Sequence, residues 1–179
     1  KMANLIFRSL ESLDTSKYFF ATYDLEGEES LANAAWELAI GQSVGNPHVR
    51  NKWETDDLFE NYSCKIIGNH EELKKVKRGK IQIAFPIENT DWDRDGISHL
   101  MCQVMGGQLD IEKIVYCRLL VLDFPNEVKK HFKGPKYGIT GVREFLGVEN
   151  KPLLGAIVKP KTGLTPEILL ELVKELVEG

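Results

Sequence analysis

Lys159 and Lys161 stand two residues apart at the end of KPLLGAIVKPK, residues 151–161, and their spacing suits proton chemistry. Alternate residues of an extended strand share a face, so both ammonium groups point the same way, together with Gly155 and Ile157. Like charges this close disfavour each other, which lowers the pKa of at least one of them. A lysine poised nearer neutrality is a competent acid or base. A charged one beside it can stabilise an enediolate or bind phosphate. The plain alternative is a solvated strand end.

The elements that must position these lysines are legible around them. Leu153 to Val158 is apolar apart from one glycine and one alanine, which predicts a strand buried on both faces. Pro160 cannot donate to a ladder and marks the strand's end. Thr165 is a natural N-cap with Pro166 at the first helical position, and Ile168, Leu169, Leu172, Val173 and Leu176 form one apolar stripe. Strand, short loop and helix, with cations at the strand's carboxyl end, match the place where catalytic groups sit in a (β/α)-barrel. A barrel takes ~250 residues, so only its first strand and helix are expected in residues 151–179.

The chain has 179 residues, 42% apolar and 28% charged, with net charge −4, enough for one good core and part of a second. That balance leaves no electrostatic footprint for nucleic acid or an anionic membrane surface. The basic run from Lys74 to Lys80 reads as a solvated connection. Cys64, Cys102 and Cys117 lack metal-site spacing and lie in apolar segments, which predicts buried free thiols and a reducing, cytoplasmic setting. No apolar run approaches the ~20 residues of a membrane span, and no targeting signal is visible.

Residues 1–17 show no period and are expected to be an arm. Strands are predicted at Tyr18–Leu25, around Tyr62–Ile67, at Lys80–Pro86 and at Ile114–Leu122. Ser30 caps a helix carrying Leu31, Ala34, Ala35, Leu38 and Ala39 on one face, stopped by Gly41. Residues 42–57 read as a loop, and 70–76 as a short helix or turn. Ile97, Leu100, Met101, Val104 and Met105 give a second helix ending at Gly106 and Gly107. The order β-α-β, β-α-β predicts an α+β, ferredoxin-like domain over residues 1–123, with both helices on one face of a four-stranded sheet. Two helical connectors, Phe124–Phe132 and Ile139–Leu146, fall in a linker over 124–150, and the barrel start occupies 151–179. Trp36 is expected in the core. His99, on a helix face without a second ligand, reads as structural.

YFFATYDL at 18–25, AFPIEN at 84–89, DFP at 123–125, GPKYGITGVREFLG at 134–147, KPLLG and then GAIVKPKTGL closely resemble RuBisCO large chains in order and spacing. The resemblance covers nearly the whole chain. It implies an N-terminal α+β domain, a helical linker and a (β/α)8 barrel, with the same boundaries as the pattern reading. It also implies a homodimer in which the N-terminal domain of one subunit closes over the other's barrel, where a phosphorylated sugar and magnesium bind. By match, Lys159 is the proton-transfer residue and Lys161 its supporting neighbour. The magnesium ligands, a lysine and two acids, are expected beyond Gly179, so residues 1–179 alone should have neither metal nor activity.

At five positions the chain departs from that pattern. Carboxylating members carry ESSTGTW or EQSTGTW after the first helix; here Gly41 replaces the acid, Asn46 the threonine and Pro47 the tryptophan. An asparagine of a VGN-like motif is Gly107, and the threonine before the first lysine of KPK is Ile157. These departures resemble the RuBisCO-like proteins, which keep the fold and the enolising machinery for other substrates. Asn46, His48, Arg50, Asn51 and Lys52 lie in the loop expected to face the partner's site, although an ordinary polar surface loop reads the same. Three functions follow. One is a RuBisCO-like enzyme doing enolisation, isomerisation or decarboxylation on a phosphorylated ketose or sugar acid. The others are a genuine ribulose bisphosphate carboxylase of archaeal type, and a non-catalytic assembly domain.

Overall fold

A computed structural model of the chain describes residues 3–107, 110–156, 158 and 164–178. They pack as two units, 1–133 and 134–179. The division falls inside the segment read as a linker.

The first unit is built on a sheet of five strands: β1 (Phe7–Arg8), β2 (Tyr18–Gly27), β3 (Lys65–Ile67), β4 (Arg78–Pro86) and β5 (Ile114–Asp123). They run in the order β1-β3-β4-β2-β5, antiparallel except for β1 against β3. Without β1 this is the ferredoxin-like arrangement. The expected count of four strands is therefore corrected to five. Two residues are too few to show a period, and β1 exists because Phe7 pairs with Ile66 and packs its ring near Trp36 and His70. The arm expected over 1–17 also contains a short helix, α1 (Ala3–Ile6), whose Ile6 is buried.

Alternation in β2 sends Phe19, Ala21, Tyr23 and Leu25 into one core. Helix α2 (Leu31–Gly41) lies on that face, capped by Ser30 Oγ accepting from Asn33 N at 3.2 Å. Its predicted stripe is fully buried. Gly27 lets α2 approach, since a β-carbon there would overlap the Ser30 carbonyl oxygen and lie 2.9 Å from Ala34 Cβ.

Helix α3 (Asp56–Tyr62) takes in the last two residues of the expected loop and the first of the expected strand, and β3 is three residues long. Thr55 caps α3, its Oγ1 accepting from Leu58 N at 3.1 Å, and Asp56 and Asp57 lie in its first turn, where acids favour the helix's positive end. Helix α4 (His70–Leu73) starts at the Asn69 cap.

The second packing helix is α5 (Gly96–Met101), which widens into a π turn over Cys102–Gly106. Leu100 and Val104 are buried in the same core as α2, which places both helices on one face as expected. Ile97, Met101 and Met105, predicted to share that stripe, are exposed because they flank its centre. Tyr23 Oη donates to Val104 O at 2.9 Å and fixes the turn over β2. Cys64 is buried and Cys117 half-buried, but Cys102 is exposed at the start of the π turn, which corrects its assignment as a buried thiol. Helix α6 (Asn126–Lys129) buries Val128, and Phe124 and Phe132 pack with Trp92 and Phe19.

In the second unit, helices α7 (Gly138–Leu146) and α8 (Pro166–Glu178) form where predicted, with Thr165 Oγ1 accepting from Ile168 N at 3.4 Å. The expected strand at 153–158 is not formed in its described residues, and Leu154 is 99% exposed. A buried strand needs neighbours to complete its ladder, and among the described residues none pairs with it. Ile157, Lys159 and Lys161 lie outside the described residues. Among those described, no helix is long and apolar enough to cross a membrane.

Candidate functional site

The loop between α2 and α3 is organised by its own polar side chains. Ser43 Oγ donates to Ala39 O at 2.6 Å and accepts from Cys64 N at 3.0 Å, tying the loop's start to β3. Glu54 is buried; its Oε2 accepts from Asn51 N at 2.8 Å, and its carboxylate lies against Gly45, where any β-carbon would overlap it. Asn46 Oδ1 accepts from His48 N at 2.8 Å, and Trp36 Nε1 donates to Pro47 O at 3.2 Å. Trp36 is thus partly buried and also holds the loop.

The basic side chains of this loop have different partners. Arg50 is turned inward: it donates to Asp56 Oδ1 at 2.8 Å and to Glu54 O, and its guanidinium sits 4.7 Å from the centre of the Phe59 ring. Lys52 points outward over Trp53, 4.7 Å from the ring centre, and Trp53 is 74% exposed. His48 Nε2 lies 3.2 Å from Glu37 Oε2 on α2, and Lys113 Nζ approaches Glu37 Oε1 at 3.6 Å. Glu37 carries no motif, and the sequence reading missed it. Its only signal is an acid beside the buried stripe of α2, where acids are rare unless paired.

Gly41 ends α2 exposed, with open space where a side chain would stand. Gly107 follows the π turn at φ −99°, so its conformation does not call for glycine, but the Gln42 amide fills the space beside it. Assigned from the hydrogen-bond network, Gln42 Nε2 donates to Cys102 O at 3.2 Å and Gln103 O at 3.3 Å. The fold therefore brings the 41–47 segment and Gly107 onto one surface. It leaves Arg50 engaged within the loop.

A cleft of about 410 Å³ lies nearby between the π turn and β5, lined by Tyr23, Val104, Met105, Ile114, Tyr116, Cys117 and Leu119 among others. Burial pushes the Cys117 thiol up to about 11, so it stays protonated and unreactive near neutrality. Among the described residues no group of three or more His, Cys, Asp or Glu is placed to hold a metal ion.

No family model matches the chain. It is 31% identical over 172 residues to a 3-oxo-isoapionate-4-phosphate decarboxylase of Rhizobium rhizogenes, an alignment covering 88% of this chain and 40% of that protein. It is 30% identical over 164 residues to a ribulose bisphosphate carboxylase of Pyrococcus furiosus, covering 91% of this chain and 36% of the relative. The chain belongs to the RuBisCO large-chain superfamily. The dimeric archaeal Rubisco of Hyperthermus butylicus superposes with a TM-score of 0.77 at 23% identity, over 100% of this chain and 41% of that one, which shows the same fold. This RuBisCO-superfamily chain thus spans roughly two fifths of the relatives it matches.

Proposed function

We propose that the chain is the N-terminal part of a RuBisCO-like protein. With its barrel, that protein performs magnesium-dependent enolisation chemistry, an isomerisation, enolisation or decarboxylation, on a phosphorylated ketose or sugar acid. The observation that carries this reading is the surface made by Gly41, Gln42 and Gly107. Gly41 leaves open space where the resemblance asks for a carboxylate, and Gly107 carries no side chain where it asks for an amide, the neighbouring Gln42 amide being engaged by Cys102 O and Gln103 O. The acids closest in the loop do not substitute: Glu54 is buried against Asn51 and Gly45, and Asp56 is paired with Arg50. A decarboxylase of a phosphorylated sugar acid among the relatives supports the substrate class.

In this reading Lys159 moves the proton at the enolised carbon and Lys161 supports it. The protein is a homodimer in which loop 41–57 meets the partner's barrel, with Asn46, His48 and Lys52 nearest the substrate and Arg50 holding the loop's shape. Magnesium belongs to acids of the barrel beyond Gly179.

The test uses the complete protein with labelled bicarbonate and ribulose 1,5-bisphosphate, and in parallel follows solvent deuterium entering phosphorylated ketoses and 3-oxo-isoapionate 4-phosphate. The expected result is deuterium exchange without fixed label. Label in 3-phosphoglycerate at enzyme-like turnover would establish the carboxylase instead, a reading favoured by the 30% identity to the Pyrococcus furiosus enzyme. Neither exchange nor fixation would leave the assembly domain.

A further inference from the structure

We propose that the cleft between residues 12–17 and the end of α3 binds a small organic ammonium ion, held by carboxylates over the Tyr18 hydroxyl. The proposal stands apart from the reading above, since the cleft shares no residue with the 41–47 segment or Gly107.

The cleft holds about 330 Å³. Its buried wall is the first residue of β2. Alternation turns Tyr18 to the sheet face opposite Phe19, where it packs with Phe20, Ala84 and Leu13. Tyr18 is only 8% exposed, and no described residue hydrogen-bonds its hydroxyl. Burial, reinforced by the Glu60 carboxylate, pushes the hydroxyl's pKa up, so it stays protonated near neutrality, with a hydrogen to give and lone pairs to receive one. A buried polar group left without a partner costs stability. One that lines a cleft marks where a partner belongs.

The other walls decide the charge of that partner. Asp14, Glu60 and Glu88 line the cleft against a single lysine, Lys17. Asp14 Oδ1 accepts from Ser16 N and Ser16 Oγ, and Arg8 donates to Glu60 Oε2. Asp14 Oδ2, Glu60 Oε1 and both oxygens of Glu88 have no described hydrogen-bond donor. An anion would meet three carboxylates here. The acids do not gather as metal ligands either, because among the described residues no group of three is placed to hold an ion. Separated acceptors around one hydroxyl suit several N–H donors on a short carbon chain. Tyr62, also lining the cleft, adds an aromatic ring, and such rings attract ammonium groups.

The experiment is calorimetric titration of the complete protein at low salt and neutral pH, with 1,4-diaminobutane and with 1,4-butanediol as its uncharged counterpart. Saturable binding of the diamine, absent with the diol, is expected. Tyr18→Phe and Glu88→Gln should each weaken it about 10-fold. Tyr18→Phe should leave Tm unchanged or higher, because the hydroxyl gives up no described partner within the fold. Glu88 is exposed, so its replacement tests the site without touching the core. No saturation by about 10 mM diamine, diol binding as tightly as diamine, or wild-type affinity in either variant overturns the proposal.

Discussion

Gln42 and Gly107, far apart in sequence, touch in the fold, and the amide of the first occupies the side-chain space of the second. Gly107→Ala should force Gln42 off Cys102 O and Gln103 O, at a cost of about 1 kcal/mol. In a Gln42→Ala background the same substitution should be neutral or slightly stabilising, because φ at 107 suits alanine and the unfolded chain loses freedom. A double-mutant cycle by urea unfolding reads the difference; additive effects would mean the contact carries no energy.

The approach of α2 to β2 is less forgiving. A β-carbon at Gly27 meets the Ser30 carbonyl, and main chain cannot swing aside as a side chain can. Gly27→Ala is expected to destabilise by about 1–3 kcal/mol. A Tm within one degree of wild type would show that the helix can shift.

Lys65 is fully buried on β3, where its Nζ donates to Phe59 O at 2.7 Å and Ser63 Oγ at 2.9 Å at the end of α3. Burial, with Arg8 adding repulsion, lowers its pKa from 10.5 to about 8. The unfolded chain therefore binds more protons than the folded one between those values, and stability should rise as pH climbs from about 8 to 10. Below that window the charged lysine costs stability, by an amount of up to about 3 kcal/mol. Lys65→Met should flatten this part of the profile and leave stability at pH 7 equal or higher, measured by urea unfolding across the range. An unchanged slope would assign the pH dependence to another group.

Arg50 and Lys52 should separate cleanly. Arg50→Ala removes a carboxylate contact, a carbonyl contact and the stacking on Phe59, and should lower stability by about 1–2 kcal/mol. Lys52→Ala touches only an exposed tryptophan and should stay within about 0.5 kcal/mol. Equal effects in thermal melts would contradict the inward role of Arg50.

For the chemistry, Lys159→Met in the complete protein should abolish deuterium exchange next to the substrate carbonyl while leaving the far-ultraviolet dichroism unchanged. Exchange at most of the wild-type rate would move Lys159 to phosphate binding or structure.

Local signals carried the elements of this protein. The Ser30 and Thr165 caps, the alternation of β2 and the buried stripe of α2 depend on residues a turn or a strand apart, and the sequence by itself determined them. The superfamily was legible too, because its motifs keep order and spacing along the chain. Tertiary structure alone decided what the side chains meet. β1 exists only against β3, Arg50 turns inward only because Phe59 and Asp56 lie behind the loop, and Met101 is exposed although its spacing predicts burial. Glu37 with His48, and Gln42 with Gly107, are juxtaposed by the docking of α2, the loop and the π turn on one sheet face. No period links such residues. Their contacts follow from how the core closes, since a helix packed to bury its apolar stripe carries its polar flank to wherever the neighbouring loop must pass.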